Sequence, residues 1–79
     1  MAFITKFEKD EDRSFKSVHP TEVVARYLVA ERDGKTILQL NTYGSVTREM
    51  PGKLSQTLQL DQKSAEELVN ILKAEFKLR

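Results

Sequence analysis

The dipeptide Asp33-Gly34 constrains this chain more than any other feature. It separates "TEVVARYLVAER" from "KTILQLNTY", two runs rich in β-branched, aromatic and aliphatic residues. Asp-Gly is a preferred pair for a two-residue type I′ hairpin turn, in which both central residues take positive φ. A turn at this point sets the register: Arg32 faces Lys35, Val29 faces Leu38, Tyr27 faces Leu40 and Arg26 faces Asn41. Side chains alternate along a strand, so the same register sorts the two faces. Val23, Ala25, Tyr27, Val29, Leu38 and Leu40 share one of them. Arg26, Gln39, Asn41 and Tyr43 share the other with Val24, Leu28 and Ile37.

A further alternating run, "LSQTLQL", sets Leu54, Gln56, Leu58 and Leu60 against Ser55, Thr57 and Gln59. Its leucines belong with the apolar face, which leaves Ser55, Thr57 and Gln59 beside Gln39 and Asn41. Between the strands, "GSVTREMPGK" contains Pro51-Gly52, suited to the centre of a type II turn, and projects Arg48 and Lys53. Asp61 then stands where a helix N-cap belongs, with Ser64 and Glu67 offering an alternative capping box. Ala65, Leu68, Val69, Leu72 and Phe76 follow at helical spacing, while Ile71 and Leu78 lie off that stripe and suit a subunit contact. At the start, "MAFITKF" alternates like a short edge strand, and the charged run "EKDEDRS" reads as a solvated loop.

These elements predict one α+β domain over residues 1–79. Residues 1–20 form an N-terminal strand and loop region, and residues 21–60 a three- to four-stranded antiparallel β-meander. Residues 61–78 form one C-terminal amphipathic helix packed on one sheet face. A chain of 79 residues sits near the size at which a single core just suffices, which favours a homodimer.

Composition narrows the chemistry. With no cysteine there is no disulfide, thiolate ligand or cysteine nucleophile, and the single histidine, His19, provides no metal pair. The acidic run lacks the spacing of a calcium loop, and Gly34, Gly44 and Gly52 make no phosphate cradle. The reading is therefore a protein without enzymatic activity, cofactor or metal. Nothing in the chain has the length and apolarity of a membrane span or signal peptide, so a cytoplasmic location is expected. Net charge is +1 from thirteen basic and twelve acidic residues, which fits neither an acidic DNA mimic nor a strongly basic binder.

A local surface remains as the candidate. Arg26, Arg48 and Lys53 can neutralise phosphates, Tyr43 can stack a base, and Gln39, Asn41 and Gln59 can hydrogen-bond. Single-stranded nucleic acid is bound by such mixtures of cations and stacking platforms. The alternative is a phage or mobile-element protein-interaction module, using exposed apolar residues such as Leu28 and Ile37 to bind a host or defence protein.

The segment "LQLNTYG…REMPGKLSQTLQLDQKSAEELVNIL" resembles the positive cofactor four family of transcriptional coactivators and their bacterial and phage relatives. That resemblance implies a β-meander followed by a helix, and homodimers that bind single-stranded DNA. It implies a nucleic-acid backbone contact at Lys53, a sheet contact at Tyr43, and a helix-borne dimer seam through Ile71 and Leu78. The stretch "LQLNTYGSVTREMPGKLSQTLQLD" is also similar to small bacterial and phage proteins of unknown role. Their motif reads "LQLDTYGS…R..PGK.SQS.QLD", from which Asn41 and Thr57 are departures.

Overall fold

The computed structural model describes residues 1–44 and 54–79. It contains strands β1 (Ala2–Ile4), β2 (Ala25–Arg32), β3 (Lys35–Tyr43) and β4 (Leu54–Leu60), followed by helix α1 (Gln62–Phe76). Asp33 and Gly34 both take positive φ, 54° and 75°, as a type I′ turn demands. The β2–β3 register follows, with Arg32 on Lys35, Val29 on Leu38, Tyr27 on Leu40 and Arg26 on Asn41.

The domain is α+β, with a four-stranded sheet in the order β1-β4-β3-β2. Strands β2, β3 and β4 form the antiparallel meander. The fourth strand corrects the expectation of a wholly antiparallel sheet, because β1 runs parallel to β4, with Ala2 on Leu58 and Ile4 on Leu60. Parallel neighbours need a long connection. Here residues 5–24 carry the chain from one edge of the sheet to the other.

Two strand ends also differ from the sequence expectation. β2 begins at Ala25 rather than Thr21, which leaves Val23 and Val24 outside the sheet. The reason is the partner: Ala25 already faces Thr42, and β3 ends one residue later. At this same end of β3 a register shift between Thr42 and Tyr43 pairs Tyr43 with Leu54 and passes over Ser55. Strict alternation, which set Leu54 inward and Ser55 outward, breaks at this bulge.

Asp61 caps α1 as expected, and Ser64 is its reciprocal partner at N3 rather than the N-cap of an alternative box with Glu67. The Ser64 N–H donates to Asp61 Oδ1 at 3.0 Å, and Ser64 Oγ accepts the Asp61 N–H at 3.1 Å. Ser64 is fully buried. Its backbone N–H, then its hydroxyl, hold the Asp61 carboxyl below its ordinary pKa. Glu67 serves another purpose, accepting the Phe7 N–H at 3.0 Å and tying the segment after β1 to the helix. At the far end Lys77 takes left-handed φ, and the Leu78 N–H closes onto the Lys73 carbonyl.

The helix meets the sheet through its first turns. Ala65 shares a small cleft with Leu38 and Leu60, and Leu68 is half-buried. Val69, Leu72 and Phe76 remain exposed, as do Tyr27, Val29 and Leu58 on the strands. Leu60, at 3% exposure, is the one fully buried apolar residue among those described. Burying one such side chain stabilises by about 1.5–3 kcal/mol. That is small against the conformational entropy of ordering a chain, about 1–2 kcal/mol per residue. No helix among the described residues is long and apolar enough to cross a membrane.

Candidate functional site

The register assembles one polar surface on the sheet face away from α1. One cross-strand row runs Leu28, Gln39, Gln59 and Phe3, and the next runs Arg26, Asn41 and Thr57. Ala30 and Ile37 form the row before them, and Tyr43 follows Asn41 along β3. Five of the predicted site residues, Arg26, Gln39, Asn41, Tyr43 and Gln59, are thereby brought to one face. Arg48 and Lys53 lie outside the described residues.

The amides do not stand as independent reading heads. Gln59 Nε2 donates to Gln39 Oε1 at 2.9 Å, and Gln39 Nε2 donates to Asn41 Oδ1 at 3.1 Å. The same Asn41 oxygen accepts from Thr57 Oγ1 at 3.0 Å. Asn41 Nδ2 makes a longer contact, 3.5 Å, to the Tyr43 hydroxyl oxygen. Asn41 and Thr57 are 7% and 5% exposed, so these bonds satisfy polar groups that water barely reaches. A connected network of this kind rigidifies its members. It also places the Tyr43 hydroxyl oxygen beside the Asn41 amide, at the end of the network.

Beside the network is a shallow depression of about 520 Å³, lined on its apolar side by Phe3, Leu28, Ala30 and Ile37. Gln39 and Gln59 form its polar wall and Arg32 its rim. Phe3 is 51% exposed, a ring lying against the amide row with much of its surface open. Sequence reasoning missed Phe3 as a site residue. Its alternation in "MAFITKF" was visible, but its neighbours depend on β1 pairing with β4. Arg32 was likewise overlooked, although its even-numbered spacing from Arg26 along β2 puts both on one face.

Positive charge is supplied by Arg26 and Arg32, both on the exposed strand β2. The ion pairs found among the described residues, Lys6–Glu8 and Arg13–Asp10, lie in the N-terminal segment. The acidic run is folded on itself there: Asp10 Oδ1 accepts the N–H groups of Asp12 and Arg13, both at 3.1 Å. His19 Nδ1 accepts the Thr21 N–H at 3.0 Å, a local turn after the His-Pro pair. Ile71 lines a groove with Phe7, Asn70 and Ala74, between the helix and the chain's own N-terminal segment, while Leu78 is exposed.

The chain matches no family model, and no curated protein or solved structure is significantly similar to it.

Proposed function

We propose that this chain is a non-enzymatic nucleic-acid-binding module, acting on single strands as a homodimer through the sheet face away from α1. The observation that carries this reading is the placement of Phe3 and Tyr43 on one face, flanking the amide network, with Arg26 and Arg32 alongside. Bases stack on the two rings, each stacked base contributing on the order of 1–3 kcal/mol. The depression between Phe3, Leu28 and Ile37 accepts base or sugar surface, and the arginines face the phosphates. Arg48 and Lys53 add to this charge from the β3–β4 connection. The amides act chiefly by holding the platform rigid, because their hydrogen bonds are largely committed to one another. Binding is therefore tolerant of sequence.

Titration of fluorescent oligo-dT and of the matching duplex, at several salt concentrations, tests the proposal. With four cations engaged per protomer, log K against log salt falls with a slope of about −3 for single strands. Absence of binding at low salt overturns it. A second reading, a docking face for a host protein, is favoured by the same half-exposed Phe3 and Leu28. A stoichiometric protein partner that survives nuclease treatment, combined with no affinity for oligonucleotides, supports that reading instead.

A further inference from the structure

Strand β2 is one edge of the sheet, and every residue from Ala25 to Arg32 is exposed. Tyr27 is 73% exposed, Val29 60% and Leu28 52%, so the strand is apolar and open on both faces. Sheet edges are ordinarily blunted by lysine, proline, bulges or short length. The segment "ARYLVAER" has no lysine or proline, and its pairing with β3 runs without a bulge over its whole length.

The hairpin determines which backbone groups of β2 remain open. In a two-residue turn the flanking pair, Arg32 and Lys35, is a hydrogen-bonded pair, and such pairs alternate along the ladder. Arg32, Ala30, Leu28 and Arg26 therefore direct their N–H and C=O groups to β3. Those of Glu31, Val29, Tyr27 and Ala25 point to the open edge.

We propose that this edge pairs antiparallel with the same edge of a second copy, across a two-fold axis at Leu28, joining two sheets into one. The proposal rests on the homodimeric part of the functional reading and not on nucleic-acid binding. Charge and register select the axis. A two-fold axis perpendicular to the sheet keeps each face on its own side, so only residues of like parity oppose one another. An axis at Val29 sets Arg26 against the partner's Arg32 twice, and like charges directly opposite are destabilising. With the axis at Tyr27, only Ala25–Val29 remain paired, because Val23 and Val24 lie outside the strand.

An axis at Leu28 avoids both faults. Tyr27 then faces the partner's Val29, an aromatic–β-branched pair made twice. Arg26 faces the partner's Ala30, and Ala25 faces the partner's Glu31. Each edge-directed N–H and C=O from Ala25 to Glu31 finds a partner, and the contact is isologous and closed. It also covers Tyr27, Leu28 and Val29, in a protomer that fully buries one apolar residue among those described.

Single-cysteine variants test the register, since the chain has no cysteine of its own. Leu28 would lie in a non-hydrogen-bonded pair with its own copy, at a Cα separation of about 4.5 Å. That falls inside the span of about 4.4–6.8 Å that a disulfide bridges. Under mild oxidation without nucleic acid, L28C runs as a covalent dimer on a non-reducing gel. A30C, whose two copies lie four rungs apart, or about 13 Å, stays monomeric. A monomeric L28C, or equally rapid cross-linking of A30C, overturns the proposal.

Val29→Pro removes an edge-directed N–H while leaving the bonds to β3, so it gives a folded monomer by circular dichroism and light scattering. A folded Val29→Pro protein that remains dimeric also overturns the proposal. Failure of a wild-type dimer to bind oligo-dT counts against the nucleic-acid reading alone. A wild-type monomer that binds it counts against the edge pairing and the homodimer, and leaves nucleic-acid binding standing.

Discussion

The bond between Thr57 Oγ1 and Asn41 Oδ1 joins two side chains that are 5% and 7% exposed, and it makes a signed prediction. Thr57→Val keeps the shape of the side chain and removes the donor. Asn41 Oδ1 still receives Gln39 Nε2, so the loss is one ordinary hydrogen bond, about 1 kcal/mol. Unfolding entropy is about 2.1 cal/mol/K per residue, or about 0.17 kcal/mol/K for 79 residues, which converts that loss into about 6 °C of Tm. Asn41→Leu removes the acceptor of both Gln39 and Thr57 and the contact to Tyr43. It leaves the buried Thr57 hydroxyl unpaired, at a cost of about 2–4 kcal/mol. Once Asn41 is gone, the hydroxyl is a liability. Thr57→Val should then be neutral or raise the Tm in the Asn41→Leu background, a coupling of about 1–2 kcal/mol. Thermal unfolding by circular dichroism of the four proteins reads the cycle directly, and urea unfolding at low temperature serves if the Asn41 variants melt early. An equal drop for Thr57→Val in both backgrounds would falsify the idea that the network acts as a unit.

Phe3→Ala and Tyr43→Ala should each weaken oligo-dT binding about 5- to 150-fold, the equivalent of one lost stack. Anisotropy titration measures this, and unchanged affinity in both removes the rings from the site. Gly34→Ala should lower stability by about 1–2 kcal/mol through left-handed backbone strain. Gly34 has φ of 75° and no atom within 4 Å of an added Cβ, so steric clash adds nothing. A Tm equal to wild type would argue against the type I′ turn. The Asp61 carboxyl is held below its ordinary pKa by the Ser64 N–H, so the unfolded chain binds that proton more tightly than the folded one. Its contribution is therefore full above the ordinary carboxylate range and is lost as pH falls through the depressed value. A Tm-versus-pH series on wild type and Asp61→Asn should converge at low pH, and parallel curves contradict the assignment. Ser64→Ala, which strands the Asp61 N–H, should cost about 1 kcal/mol at neutral pH.

The hairpin, the meander and the helix cap were legible because each rests on contacts between near neighbours. Asp33-Gly34 determines the β2–β3 register by itself, and that register puts Gln39, Asn41 and Arg26 on one face. What was not legible depends on contacts distant in sequence. The parallel pairing of β1 with β4 sets Phe3 beside Gln59, and no local pattern in "MAFITKF" names that neighbour. The bulge opposite Tyr43 is another such case, since alternation assumes an unbroken ladder. The helix stripe was read correctly as amphipathic. How little of it meets the sheet was not, because periodicity gives a face and not the extent of its cover. Residue types also could not show that the amides of Gln39, Asn41 and Gln59 turn toward one another.

The short strand β1 has a consequence for how such chains associate. It occupies the edge of β4, at the opposite side of the sheet from β2, and covers only Leu58–Leu60. A protomer with two equally adhesive edges would add copies at both ends and grow into a filament. With β4 capped by a three-residue strand, the edge pairing proposed above would have one valence per copy and stop once it is used. On that proposal the first few residues act as a chain terminator at the level of assembly. Deleting Met1–Ile4 should give light-scattering masses that increase with concentration beyond two copies.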